Sequence, residues 1–323
     1  MKKLLSIALC LALLAGLAAG CGSFSPSSDK LSIVTTIFPI YDWVTQILGG
    51  KAEQAEVAML LDSGVDLHNY EPTADDIARI SYCDMFLYVG GESDRWAEDV
   101  LAQAENKDMV VVNLLDVLGN DAKEEEIKEG MQADEAEDDG EDEAVEYDEH
   151  VWLSLRNADK LCRYISDKLC QIDAENADAY QVNTDAYLEK LNALDAEYQA
   201  VVDAAAVKTL LFGDRFPFRY LAADYGLDYY AAFVGCSAES EASFETIAFL
   251  AGKLDELGLK TILQIESADG KIAATIRDAT KAKDQTILTL NSMQSTTAAD
   301  VKNGASYLSI MESNLAVLRE ALS

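Results

Sequence analysis

Tyr180-Gln181-Val182-Asn183-Thr184-Asp185-Ala186-Tyr187-Leu188-Glu189-Lys190-Leu191-Asn192-Ala193-Leu194-Asp195-Ala196-Glu197-Tyr198 decides how the rest of the chain is read. Tyr180, Tyr187, Leu191, Leu194 and Tyr198 recur at intervals of seven, four, three and four, which puts them on one face of an α-helix. Glycine and proline are absent from this stretch, and the pattern extends from about Asp173 to Ala204. A helix of that length runs roughly 45 Å at 1.5 Å per residue. The stripe itself is explained by core packing. Its place in the chain is the informative part, because the segments on either side share one pattern.

Upstream, apolar runs at Leu31 to Thr36, Glu56 to Leu61, Met85 to Val89 and Met109 to Val112 alternate with helical segments beginning at Phe38, Pro72 and Trp96. Downstream, Thr209 to Phe212, Tyr229 to Val234, Thr261 to Ile265 and Thr286 to Leu290 alternate with helices from Pro217, Ser243 and Lys271, and a terminal helix spans Ala299 to Leu322. Short apolar strands alternating with helices at this spacing predict parallel sheets covered on both faces. The expected architecture is α/β: two parallel-sheet lobes joined by one long rigid linker helix. Its boundaries are 31–172 for the first lobe, 173–205 for the linker and 206–323 for the second lobe. Ligand chemistry belongs at the C-terminal ends of such strands, in the cleft between lobes.

Lys2 and Lys3 precede an apolar run from Leu4 to Leu17 that ends in Ala18-Ala19-Gly20-Cys21. This is the form of a secretory signal rather than a spanning helix. Leu17-Ala18-Ala19-Gly20-Cys21 resembles the lipobox of bacterial lipoproteins. That resemblance implies a signal peptide over 1–20, lipidation of Cys21, a flexible tether over 21–30, and a protein held at the outer face of the cell membrane by its lipid alone. The formal charge of −33 argues against nucleic acid and anionic membrane surfaces as partners. From Asp121 to Glu149 the chain has few apolar residues and many acids, so a disordered acidic loop is expected there. It reads either as a solvated insertion or as a weak collector of divalent cations. Cys162 and Cys170, eight apart on one helix, stand about 12 Å from each other, too far to bridge. No CxxC spacing occurs, so the cysteines left after Cys10 and Cys21 are expected to be free thiols.

The chain has two histidines, His68 in Leu67-His68-Asn69-Tyr70-Glu71-Pro72-Thr73 and His150 in Asp148-Glu149-His150-Val151-Trp152-Leu153. Both stand among acids and aromatics, and imidazole is the commonest ligand for borderline divalent metals. Asp214 follows a strand of the second lobe, Glu266 ends another, and Asn291 ends a third. Two imidazoles with one or two carboxylates would satisfy a four-coordinate zinc ion.

With these pieces in order, the chain resembles the metal-binding receptors of bacterial zinc or manganese ATP-binding-cassette importers, in the cluster built on a helical linker. The resemblance rests on Thr35 to Tyr41, His68 to Thr73, Glu149 to Leu153, Tyr220 to Leu227 and Glu239 to Ser243, and covers essentially the whole chain beyond Cys21. It implies a monomeric extracytoplasmic receptor, not an enzyme, without a catalytic cofactor. Such a receptor captures one divalent ion and delivers it to a permease.

His68 and His150 fall on the family's first two metal histidines. The third ligand position aligns with Arg215, which cannot coordinate, so Asp214 beside it is the candidate; its alternative is an ion pair with Arg215 or Arg219. For the fourth position Glu266 is favoured over Asn291. The acidic loop stands where zinc members carry a His-rich loop, which leans to Zn2+, whereas oxygen-rich coordination leans to Mn2+. Two other classes remain: a metal-dependent hydrolase with Glu266 as base, although no HExxH spacing occurs, and a stand-alone metal-buffering adhesin.

Overall fold

The structure, a computed structural model, describes residues 30–132, 146–237 and 241–323. The signal and tether segments with Cys21, and the centre of the acidic tract, lie outside the described residues.

In the first lobe β1 (Leu31–Thr35), β2 (Ala55–Met59), β3 (Met85–Tyr88) and β4 (Val110–Asn113) form a parallel sheet in the order β2-β1-β3-β4. The central strand β3, Met-Phe-Leu-Tyr, is buried at every residue, as a strand covered on both faces must be. Helix α1 (Phe38–Leu48) follows β1 with Pro39 in its first turn, where a missing N–H costs nothing. Helix α2 (Ala74–Tyr82) starts on a reciprocal cap between Thr73 and Asp76. The short helices α3 (Trp96–Gln103) and α4 (Leu114–Leu118) complete the lobe.

Helix α5 (Leu155–Ile172) leads into the linker helix α6 (Ala177–Ala204), whose 28 residues extend about 42 Å. The predicted stripe is its buried face: Tyr180, Tyr187, Leu191, Leu194 and Tyr198 are all buried. The helix begins four residues later than Asp173, because the Asp173 carboxylate instead accepts hydrogen bonds from Asn176 and Tyr180 in the turn before it.

The second lobe repeats the first. Strands β5 (Thr209–Phe216), β6 (Asp228–Val234), β7 (Thr261–Gln264) and β8 (Thr286–Thr289) pair in parallel in the order β6-β5-β7-β8. Helix α7 (Arg219–Tyr225) stops at Gly226 in the left-handed region. Helices α8 (Phe244–Leu257) and α9 (Lys271–Ala279) cover the sheet. The terminal helix is broken, contrary to expectation, into α10 (Ala298–Lys302) and α11 (Tyr307–Ala321). Gly304, at φ 97, and the Ser306 cap of α11 cause the break. The break lets α11 pack back on α1 of the first lobe. Tyr307, fully buried, donates through its hydroxyl to the Trp152 carbonyl at 2.7 Å, and its N–H meets Asp42 at 3.2 Å. One continuous apolar core consequently runs through both lobes and the linker.

The acidic tract departs from the expected disorder on both flanks. Lys123 accepts from the Asp148 N–H at 2.8 Å, Glu124 bridges to Tyr147, and the Gln132 N–H reaches the Ala232 carbonyl on β6. Ion pairs of Glu126 with Arg219 and of Lys128 with Asp228 fix the same segment to the second lobe. Pairing across the cleft supplies the partners that local composition lacks.

Candidate metal centre

His68 lies on the single helical turn Leu67–Asn69, in the loop between β2 and α2. Asp66 caps that turn, its carboxylate accepting the His68 N–H at 3.1 Å. The His68 Nδ1 faces Ser93 Oγ at 2.8 Å and Glu149 Oε2 at 3.5 Å, which leaves Nε2 pointing away from both. His150 opens the turn Val151–Leu153. The Asp148 carboxylate accepts the His150 N–H at 2.9 Å and lies 3.1 Å from its Nδ1. In both rings, then, Nδ1 is engaged from behind and Nε2 is turned towards the other ring. The two Nε2 atoms stand 3.2 Å apart. Two imidazole nitrogens bonded to one tetrahedral zinc ion at 2.0–2.1 Å stand about 3.3 Å apart. The pair is spaced as one edge of such a site.

The second lobe closes on this edge. Gly235 follows β6, and a Cβ built there would lie 3.1 Å from the His150 ring, a tight contact that glycine avoids where the strand end approaches the imidazole. Cys236 comes next, and its sulfur and the two ring nitrogens all lie within 4.8 Å of one another. The Gln294 amide, oriented by its hydrogen-bond partners, directs its nitrogen to Asp66 at 2.8 and 3.0 Å and its oxygen to His150 Nε2 at 2.6 Å. Arg215 pairs with Asp66 across the cleft.

Asp214 and Glu266 do not join this group. The Asp214 carboxylate accepts the backbone N–H groups of Arg215 at 2.8 Å and Ile265 at 3.1 Å. Glu266 accepts from the Ser292 N–H at 2.7 Å, the Ser292 hydroxyl at 3.0 Å and the Ser295 hydroxyl at 3.2 Å. Asn291 is likewise occupied, its side-chain oxygen accepting the Met293 N–H. Asp214 lies inside β5, which runs on to Phe216 and not only to Phe212 as expected, and ties that strand to the end of β7; Glu266 and Asn291 hold the loop after β8 in shape. Arg215 pairs with Asp66, not with the adjacent Asp214 as one reading of the sequence had it.

A family model described as zinc-uptake complex component A, periplasmic (ZnuA), matches residues 33–321. The chain belongs to the ZnuA family. It is 33% identical over 322 residues to the zinc-binding lipoprotein AdcA of Streptococcus pneumoniae serotype 4, covering 99% of this chain and 61% of that protein. It is 31% identical over 304 residues to the high-affinity zinc uptake system protein ZnuA of Bacillus subtilis (strain 168), covering 93% and 90%. The crystal structure of the Zn(II)-bound ZnuA-like domain of Streptococcus pneumoniae AdcA superposes with a TM-score of 0.70 at 30% identity, covering 91% of this chain and 99% of that one. The chain spans little more than half the length of the streptococcal relatives, 56% for the zinc-binding protein AdcA of Streptococcus pyogenes serotype M3. The ZnuA family is one of uptake receptors, not of enzymes.

In this ZnuA-family chain the electrostatics favour a neutral first histidine. Burial, reinforced by His150 and Arg215 and opposed by Asp66, pushes His68 down to about 3. Neutral imidazole is the form that coordinates. Burial is the largest influence on Asp66 and raises it, but the Arg215 guanidinium, His68 and the hydrogen bonds from both together hold that carboxylate low. Glu149 is raised by burial, with Ser93 opposing. Cys236 and Gln294 lie beside the two histidines, a placement that sequence reasoning did not foresee. The signal for Cys236 was present: it stands just past a strand C-terminus, where ligands of α/β lobes gather.

Proposed function

We propose that this protein is a lipid-anchored extracytoplasmic receptor that captures one divalent metal ion, zinc first, and delivers it to the permease of an ATP-binding-cassette importer. His68 and His150 are the two imidazole ligands, and the 3.2 Å separation of their Nε2 atoms is the observation that carries the reading. Ser93, Asp148 and Glu149 hold the rings from behind, so the ligands are oriented before the ion arrives. Cys21 supplies the anchor, after removal of residues 1–20. The relatives' zinc-specific names favour zinc over manganese, and two neutral nitrogens also suit zinc better. Asp214 and Glu266, engaged by backbone N–H and hydroxyl groups, serve this site as loop supports.

Calorimetric titration of the purified chain with zinc tests the reading. Replacing both His68 and His150 by alanine should weaken zinc binding at least 100-fold, while circular dichroism shows an unchanged fold. Undiminished affinity in the double variant would overturn it.

A further inference from the structure

We infer that Cys236 is the third protein ligand of the cargo site, binding through its thiolate and making the site selective for thiophilic ions. The inference rests on the receptor reading above and adds to it a ligand from the opposite lobe. Among the described residues, one group of three or more His, Cys, Asp or Glu side chains has ligand atoms close enough for a shared ion, and it is His68, His150 and Cys236. The sulfur faces the imidazoles from the end of β6, so metal capture would bridge the two lobes. A zinc–sulfur bond of about 2.3 Å and zinc–nitrogen bonds of about 2.0–2.1 Å require the 4.8 Å group to contract only modestly.

Two features of the surroundings fit a cation bound this way. Gln294 presents a neutral amide oxygen to His150 while its nitrogen holds the Asp66 carboxylate. Buried acids gather behind the ligands: Glu149 Oε2, 3.5 Å from His68 Nδ1, has no hydrogen-bond partner among the described residues, and Asp148 supports His150. Metal dication with one thiolate carries a net positive charge, which these carboxylates compensate. The Cys236 S–H bond breaks as the sulfur–metal bond forms. The proton passes to the Glu125 carboxylate, which already interacts with Cys236, and then to water. A thiolate discriminates against manganese, which prefers oxygen.

Cobalt(II) is the probe, because a cobalt–thiolate bond produces an intense near-ultraviolet charge-transfer band that nitrogen and oxygen ligands do not. The cobalt-loaded chain should show this band. Cys236→Ser should abolish it and weaken zinc binding at least tenfold. Cys236→Ala, which places no hydroxyl at the site, should behave in the same way, and thermal unfolding checks that both variants are folded. A cobalt complex that lacks the band, or a Cys236→Ser variant that keeps both band and zinc affinity, overturns the thiolate assignment but leaves the two-histidine receptor standing. Failure of the parent chain to bind zinc or cobalt overturns both.

Discussion

His68 is a buried base whose neutral form is built in. Its folded value of about 3 lies below the ordinary 6.5, with burial as the main cause. Between those values the unfolded chain holds a proton that the folded chain lacks. Stability therefore rises with pH across that window, and is lost as pH falls from 6.5 towards 3 by about 1.4 kcal/mol per pH unit from this residue. Urea unfolding of the metal-free chain at pH 6 and pH 4.5 should show His68→Gln losing less stability than the parent, by roughly 2 kcal/mol. Because protonated imidazole cannot coordinate, an unperturbed histidine pair would lose zinc as pH falls through the ordinary histidine range. Burial moves proton competition at His68 far below it.

Residue chemistry also sets what could be read in advance. Scarcity made His68 and His150 visible. Cys236 was hidden because a thiol reads the same in a core as beside a metal, and its closeness to His150 depends on Gly235. Asp214 and Glu266 occupy strand ends, as ligands would. Their oxygens, however, are taken by backbone N–H groups of loops whose shape includes the irregularity in β5 between Phe212 and Arg215, a feature that no spacing reveals.

At the scale of elements, all eight strands were legible. An inner strand such as β3, buried on both faces, is apolar throughout, and even the more exposed edge strands β2, β4 and β8 carry short apolar runs. The least legible element was the chain terminus. Gly304 alone is a weak signal, and the reason for the break is tertiary: α11 must turn back so that Tyr307 can enter the first lobe beside Trp43, with ring centroids 5.3 Å apart. Tyr307→Phe removes the hydroxyl that meets the Trp152 carbonyl inside the core. Loss of that buried hydrogen bond should cost about 1–2 kcal/mol. The urea midpoint should fall without a change in slope, since the fold and its exposed surface on unfolding are retained.

Across the whole molecule, the shared core, the linker helix and the return of α11 all oppose rotation of one lobe on the other. Interfaces of this kind differ from the small polar contacts at which domains swing freely. Small-angle scattering curves of metal-free and zinc-loaded chains should therefore overlay at low angle. A clear contraction on loading would mean that the lobes close as rigid bodies. On the receptor reading, release would fall to the end of β5 and the loops after β6 and β8, where Arg215, Cys236 and Gln294 sit. The Asp66–Arg215 pair spans that boundary, so the loops that shape the site also latch its two sides together.

Trp152 adds something to this arrangement. Its indole ring centroid lies 5.2 Å from that of His150, in a wholly buried position, and its N–H is anchored to the Ser292 carbonyl. A cation that engages the imidazole lone pair changes the electric field across a fluorophore that cannot turn away from it. On the receptor reading, occupancy would be written into the protein's own emission, and the arrival and departure of cargo would be timed without an attached dye.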